Sequence, residues 1–305
     1  MNYIEEINRL RKEKNAVILA HYYQEAEIQD IADFVGDSLG LAQNALNTKA
    51  DIIVFAGVNF MAETAKILNP DKKVLLPDLE AGCSLAESCK AADFKLFIEQ
   101  HPNHKVITYI NSSVDVKLLT DVVCTSSNAV KIVESFPKEQ PIIFGPDKNL
   151  GAYVNQITGR NMLLWPGQCH VHDTLNSEAV IRLKLKHPDA KLLAHPECQG
   201  IILQMADFIG STTAIIQYAK KDDTKKCIIA TETGILHQLQ KNNPEKEFLI
   251  VSSDESCACN DCEYMKRITI KKIYSNLLQE QHEIILPPDI IEQAKKPILK
   301  MLELS

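Results

Sequence analysis

The sequence predicts an α/β fold of three pseudo-threefold-related α/β/α (Rossmann-like) subdomains, with parallel sheets arranged around a central buried site. Three observations predict it. An apolar strand, a polar dyad, a helix-length stretch, a short apolar run and a serine recur as AVILAHYYQEAEIQDIADFVGDS, KVITYINSSVDVKLLTDVVCTSS and AKLLAHPECQGIILQMADFIGST. A strand, a glycine-containing turn, a helix, a polar turn and another strand then recur as DIIVFAGVNFMAETAKILNPDKKVLLP, PIIFGPDKNLGAYVNQITGRNMLLWP and CIIATETGILHQLQKNNPEKEFLIVS. Finally, a strand closing on a turn delivers a cysteine in VLLPDLEAGCS, MLLWPGQCHVH and FLIVSSDESCACNDC. Strands alternating with single helices form parallel βαβ units, and the recurrence sets their number at three.

In chain order, residues 1–15 carry Ile4, Ile7 and Leu10 at helical spacing and read as an N-terminal helix. The repeats follow at 16–103, 104–189 and 190–262, and 263–305 reads as C-terminal helices around Pro287-Pro288 packing on the body. No low-complexity linker separates the units, so one compact body is expected.

Parallel sheets collect ligands at the carboxyl ends of their strands. Aligning the first strands superimposes His21, Tyr109 and His195, and two residues on, Tyr23, Asn111 and Glu197. Positions i and i+2 of a strand share a face. Ser38, Ser126 and Ser211 then each precede a helical stretch. A serine at a helix N-cap leaves free backbone N–H groups beside its hydroxyl, a ready anion site. A lone strand-end histidine or capping serine is ordinarily structural. Packing does not explain why polar residues of differing identity recur at equivalent strand ends, and a shared site for a small ligand with carboxylates or a phosphate does. His195 and Glu197 supply an acid/base pair.

The net charge of −7 offers no footprint for nucleic acid. No apolar run has transmembrane length, and MNYIEEINRLRKEKN lacks a signal-peptide core, so a cytoplasmic protein with neither a membrane nor a nucleic-acid partner is expected. Nine cysteines without a secretion signal read as reduced thiols. Cys227, Cys89 and Cys124 read as small core residues. Cys83, Cys169 and one of Cys257, Cys259 or Cys262 end the equivalent turns. Structural zinc would want a fourth ligand. A redox disulfide within the last group would leave Cys83 and Cys169 without a role. A 4Fe–4S cluster on three thiolates, its open iron acting as a Lewis acid, uses the most parts.

With these residues assembled, the chain resembles the quinolinate synthase family over essentially its whole length. The resemblance rests on AHYYQ at 20–24, GDS at 36–38, GVNFMAETAK at 57–66, PDLEAGCS at 77–84, TYINSS at 108–113 and CTSSNA at 124–129. It continues with LWPGQCHVH at 164–172, AHPEC at 194–198, GST at 210–212, ATETG at 230–234 and CEYMK at 262–266. It implies a transferase of de novo NAD biosynthesis that condenses iminoaspartate with dihydroxyacetone phosphate, releasing phosphate and water. It also implies one 4Fe–4S cluster per chain, with three cysteine ligands and one open iron, and functional coupling to L-aspartate oxidase. By position, ligation carries over to Cys83, Cys169 and Cys262, and catalysis to Tyr23, Tyr109, His195 and Glu197. Substrate binding carries over to His21, Ser38, Tyr109, Asn111, Ser126, His172, His195, Glu197, Ser211 and Thr212. Repeat spacing favours Cys257 as the third ligand, because Cys257 lies 88 residues after Cys169 (257 − 169), close to the 86 between Cys83 and Cys169 (169 − 83). The family position favours Cys262, and a turn can absorb the difference. Some relatives read C-x-x-C-x-x-C here; this chain departs from them with C-x-C-x-x-C.

Overall fold

A computed structural model describes residues 2–252 and 260–305. The first repeat folds as β1 (Ala16–His21), β2 (Phe34–Gly36), β3 (Ile52–Ala56) and β4 (Lys73–Leu75). The second supplies β5 (Lys105–Tyr109), β6 (Val122–Cys124), β7 (Ile142–Phe144) and β8 (Leu163–Leu164). The third supplies β9 (Lys191–Ala194), β10 (Phe208–Ile209), β11 (Lys226–Ala230) and β12 (Glu247–Ile250). All three sheets are four-stranded and wholly parallel, in the orders β2-β1-β3-β4, β6-β5-β7-β8 and β10-β9-β11-β12. One topology is therefore repeated three times, as the sequence pattern requires.

Burial explains the strand composition. The five residues of β3, IIVFA, are all buried, because helices cover both faces of a parallel sheet and leave no position for a polar side chain. The helix Asn59–Leu68 buries eight of its ten residues, Phe60, Met61 and Leu68 among them, and packs against the C-terminal helix Pro288–Leu304. That long helix also lies against β6, so the first two sheets share one apolar core. Two smaller clusters cover the third sheet, one with Leu192 and Ile228, the other with Leu193 and Ile229. Alternate residues of β9 and β11 thus face opposite helical layers. Cys89, Cys124 and Cys227 are buried core residues.

A polar device recurs at the amino ends of the sheets. The Asp33, Asp121 and Asp207 carboxylates accept the backbone N–H groups of Ile18, Val106 and Leu192 at 2.8, 2.8 and 2.7 Å. The sequence reading leaves out the helices Ala91–Glu99 and Ser177–Lys186, which lie in the connections between repeats. Among the described residues no helix is long and apolar enough to cross a membrane.

Candidate active site

The carboxyl ends of the three sheets open on one cavity of about 420 Å³. Each repeat contributes its dyad: His21 and Tyr23, Tyr109 and Asn111, His195 and Glu197. His21 and Tyr109 are the last residues of β1 and β5, and His195 follows β9 directly. Ser38, Ser126, His172 and Thr212 also line the cavity, as do Cys83, Cys169 and Cys262. Ser211 is the one sequence-assigned residue outside this lining.

The serines need correcting as caps. Only Ser211 is an N-cap, its hydroxyl accepting the Ala214 N–H at 3.3 Å, and its neighbour Thr212 lines the cavity. Ser38 is the first residue of its helix because Asp37 caps it, accepting from Gly40 N–H at 3.1 Å. Ser126 sits two positions before the cap residue Asn128, whose amide oxygen accepts the Thr125 N–H at 2.7 Å and fixes a turn there. At both positions a neighbouring residue takes the capping place.

A hydrogen-bonded network crosses all three repeats. The Tyr109 hydroxyl donates to Glu197 Oε1 at 2.6 Å, and Glu197 Oε2 lies 3.4 Å from His172 Nδ1. His172 Nε2 meets the Thr231 hydroxyl at 2.8 Å, and Thr231 meets the Tyr23 hydroxyl at 2.8 Å. Tyr23 also bonds Thr212 at 3.0 Å. His195 stacks on His172 with ring centroids 4.6 Å apart, and its Nε2 lies 3.2 Å from the Ser126 hydroxyl. The ring nitrogens of His21 and His195 accept backbone N–H groups two residues on, from Tyr23 at 3.1 Å and Glu197 at 3.4 Å. Both neutral rings therefore carry their proton on Nε2.

Burial sets the charge states. It lowers His21 to about 4 and His195 to about 3, so both imidazoles are neutral at pH 7. Burial opposes ionisation of Glu197, but the two imidazoles and the bonds from His172 and Tyr109 outweigh it, holding the carboxyl below the usual carboxylate range. Burial, reinforced by the Glu197 charge, keeps the Tyr109 phenol protonated.

Comparison with known proteins decides the family. The model for quinolinate synthetase A protein (NadA) matches residues 5–303. The chain belongs to the quinolinate synthase family. A quinolinate synthase of Microcystis aeruginosa is 56% identical over 299 residues, covering 98% of this chain and 94% of that protein. One from Synechocystis is 56% identical over the same shares, and one from Thermosynechococcus vestitus is 53% identical over 306 residues, covering 100% of this chain and 96% of its own.

For a quinolinate synthase, the cysteines are the parts to test. Cys83, Cys169 and Cys262 each stand immediately before a four-residue helix, at Ser84–Glu87, His170–Asp173 and Glu263–Lys266. They hold the same place before their helices, and Cys262 stands 12 residues after the last strand of its repeat (262 − 250), against 8 for Cys83 (83 − 75) and 5 for Cys169 (169 − 164). The expectation on Cys257 and Cys259 lies outside the described residues. Burial pushes the Cys83 thiol up to about 12 and Cys262 to about 11, the Cys262 thiol adding to the effect on Cys83. Such thiols are poor nucleophiles at neutral pH, and a bound cation is what would ionise them. Among the described residues, the donors lying within 4.8 Å of one another as a set of three are Cys169, His172 and Glu197; the three cysteines do not form such a set. One tetrahedral ion would need sulfurs roughly 3.8 Å apart. A larger inorganic group therefore fits the three thiols better than a single ion does.

The sequence reading missed Asp37, Thr231, Asp147 and Glu232. The last three follow the third strand of a repeat, and the ATETG motif marked two of them without indicating a role. Glu232 is fully buried beside Gly234, where a Cβ would stand 2.7 Å from the Tyr23 Cα, so the close approach requires glycine.

One pH effect follows from these assignments. His21 titrates near 6.5 when unfolded and about 4 when folded. Its contribution is complete above 6.5 and is lost as the pH falls toward 4. Glu232 and Asp147, pushed up to about 7 mainly by burial, act in the opposite direction, so the test is a difference between proteins. Between pH 7 and pH 5, metal-free wild type should lose about 2 kcal/mol more unfolding free energy than His21→Gln. Urea titrations at the two pH values check this, and equal losses would remove His21 from the account.

Proposed function

We propose that the chain condenses iminoaspartate with dihydroxyacetone phosphate to quinolinate, releasing phosphate and water, as a transferase of de novo NAD biosynthesis. One observation carries this reading beyond family membership. Three cysteines, one from each repeat, share a cavity with the Tyr109–Glu197–His172 network. Cys83, Cys169 and Cys262 would hold one 4Fe–4S cluster, leaving one iron without a protein ligand. When bound, that cluster supplies a Lewis acid for a substrate oxygen or nitrogen.

The protein's own groups account for the rest. The substrates bring carboxylates and a phosphate, yet no lysine or arginine is among the described residues lining the cavity. Neutral donors must hold these anions. The Ser38, Ser126 and Thr212 hydroxyls and the His21 Nε2–H are available, with the first-turn N–H groups of the helices Ser38–Asn47 and Thr212–Lys221. Asn111 adds the complementary group, since its buried amide oxygen has no protein partner and would accept from a substrate N–H or O–H. Losing phosphate from the triose requires removing a proton beside its carbonyl. Glu197 is ionised, lines the cavity and accepts from Tyr109 at 2.6 Å, so position and not basicity assigns it that proton, and the Tyr109 hydroxyl can return one. The path Tyr109–Glu197–His172–Thr231–Tyr23 gives protons a route across the cavity wall. His195 orients Glu197 through the latter's own N–H.

An imine hydrolyses in open water, which an enclosed site prevents. The same lability suits functional coupling to L-aspartate oxidase as its supplier. We also infer the division into 1–15, 16–103, 104–189, 190–262 and 263–305, and a cytoplasmic location. The test is an anaerobic assay with each substrate omitted in turn, alongside metal and sulfide analysis. Quinolinate should form only with both substrates present. Turnover without dihydroxyacetone phosphate, or zinc in place of iron and sulfide, would overturn the reading.

A further inference from the structure

Each repeat places one residue at the same point beyond its third strand. Ala56 pairs with Ala20 and Ala230 with Ala194, while Phe144 pairs with Ile107, so Gly145 stands level with Thr108. Two residues further on are Val58, Asp147 and Glu232. Val58 is apolar; the other two are fully buried carboxylates. A buried carboxylate is costly unless its oxygens are satisfied.

Both are satisfied in the same way. Asp147 Oδ2 accepts the backbone N–H of Cys169 at 2.8 Å, and its Oδ1 accepts those of Asn149 and Leu150 at 2.7 and 2.9 Å. Glu232 Oε1 accepts the backbone N–H of Cys262 at 3.2 Å, and its Oε2 accepts that of Gly234 at 2.7 Å. Lys266 closes the third-repeat arrangement, its ammonium 3.2 Å from Glu232 Oε1 and donating to the Tyr23 carbonyl at 3.0 Å.

The fold does not need these acids merely to tie its loops. In the first repeat Asn59 N–H donates to the Ala81 carbonyl at 2.8 Å, and in the second Lys148 N–H donates to the Gly167 carbonyl at 2.8 Å. Each tie reaches the residue two before a cysteine. The third repeat substitutes the Asn260 side-chain amide, which donates to the Thr231 carbonyl at 3.1 Å. Loop closure is thus provided in every repeat, and the carboxylates act one step closer, on the cysteine's own peptide group. Their use also differs from that of Asp33, Asp121 and Asp207, which occur in all three repeats, remain exposed or half-buried and lie at the opposite ends of the sheets.

We propose that Asp147 and Glu232 are positioning residues that orient the Cys169 and Cys262 thiols by accepting those cysteines' backbone N–H groups, while at Cys83 the equivalent position is Val58 and supplies no such acceptor. This rests on the three-cysteine cluster reading above. Partners outside the ligand set fix ligand direction, and their loss commonly costs 10–100-fold in metal affinity.

The test uses the full chain, loaded anaerobically with iron and sulfide, as wild type, Asp147→Ala, Glu232→Ala, Asp147→Asn, Glu232→Gln and the control Asp207→Ala. Iron and sulfide per chain and the rate of iron release to a chelator are read, with thermal unfolding of each metal-free protein beside them. The two alanine variants should release iron about tenfold faster or more. Asp207→Ala should release it at the wild-type rate despite losing a backbone acceptor. The amide variants keep one accepting oxygen of the two and turn an NH2 toward an N–H donor at the other, so they should release it roughly threefold faster. Alanine variants matching Asp207→Ala, or release that simply tracks unfolding temperature across the set, would overturn the proposal. Where an alanine variant does not fold, its amide counterpart decides, and a wild-type rate there overturns it. A wild type that binds no iron would instead sink the cluster reading.

Discussion

Glu197→Gln is expected to lower kcat for quinolinate formation by about 10²–10⁴-fold, with bound iron and sulfide unchanged. The substitution is nearly isosteric. An amide oxygen can still accept the Tyr109 hydroxyl, now 2.6 Å from Glu197 Oε1. The amide nitrogen would then face His172 Nδ1, which lies 3.4 Å from Oε2 and can accept once its ring proton sits on Nε2 toward Thr231. Geometry survives and the base is lost. Metal analysis separates this from the other use of the same atoms, since Cys169, His172 and Glu197 form a compact donor set. Were Glu197 a ligand in such a set, Glu197→Gln would lose metal along with activity. Tyr109→Phe should also slow turnover. Groups acting as one unit are non-additive, so the double variant should be little worse than Glu197→Gln alone. Independent, multiplying losses would assign the two residues to different steps.

The repeats were legible because parallel sheets demand apolar strands, and the strand ends demand polar residues only where they meet a ligand. That contrast exposed His21, Tyr109 and His195 with their partners two residues on, and the structure brings all six to one cavity. Ser38 and Ser126 were placed at the right strand ends with the wrong local role, since the neighbouring Asp37 and Asn128 take the capping positions. Asp147 and Glu232 were illegible for a different reason. Their position in the first repeat is Val58, and a site that changes from apolar to acidic between repeats carries no pattern to align. Thr231 links two repeats through its hydroxyl, which depends on packing between sheets and leaves no trace in local spacing.

Repeat arithmetic and place in the fold point to different third cysteines, and this bears on the second large effect. Cys262→Ala is expected to abolish bound iron–sulfur cluster and quinolinate formation together, while Cys257→Ala and Cys259→Ala retain both. Counting residues from Cys169 selects Cys257, because the count assumes equal loops. Position in the fold selects Cys262, which opens the helix Glu263–Lys266 as Cys83 and Cys169 open theirs, and lines the same cavity. Alanine is the informative replacement, since a serine oxygen could still ligate. Alanine removes only a sulfur that lines the cavity, so the truncation should leave the metal-free fold intact and unfolding at nearly the wild-type temperature. Loss of cluster with an unchanged metal-free fold would mark Cys262 as a ligand and exclude a packing role. The opposite result, with Cys257→Ala losing iron and Cys262→Ala keeping it, would show that the third repeat delivers its thiol by sequence distance and not by its place before the helix. In that case Glu232 would be gripping the wrong cysteine, and the iron-release comparison would fail with it.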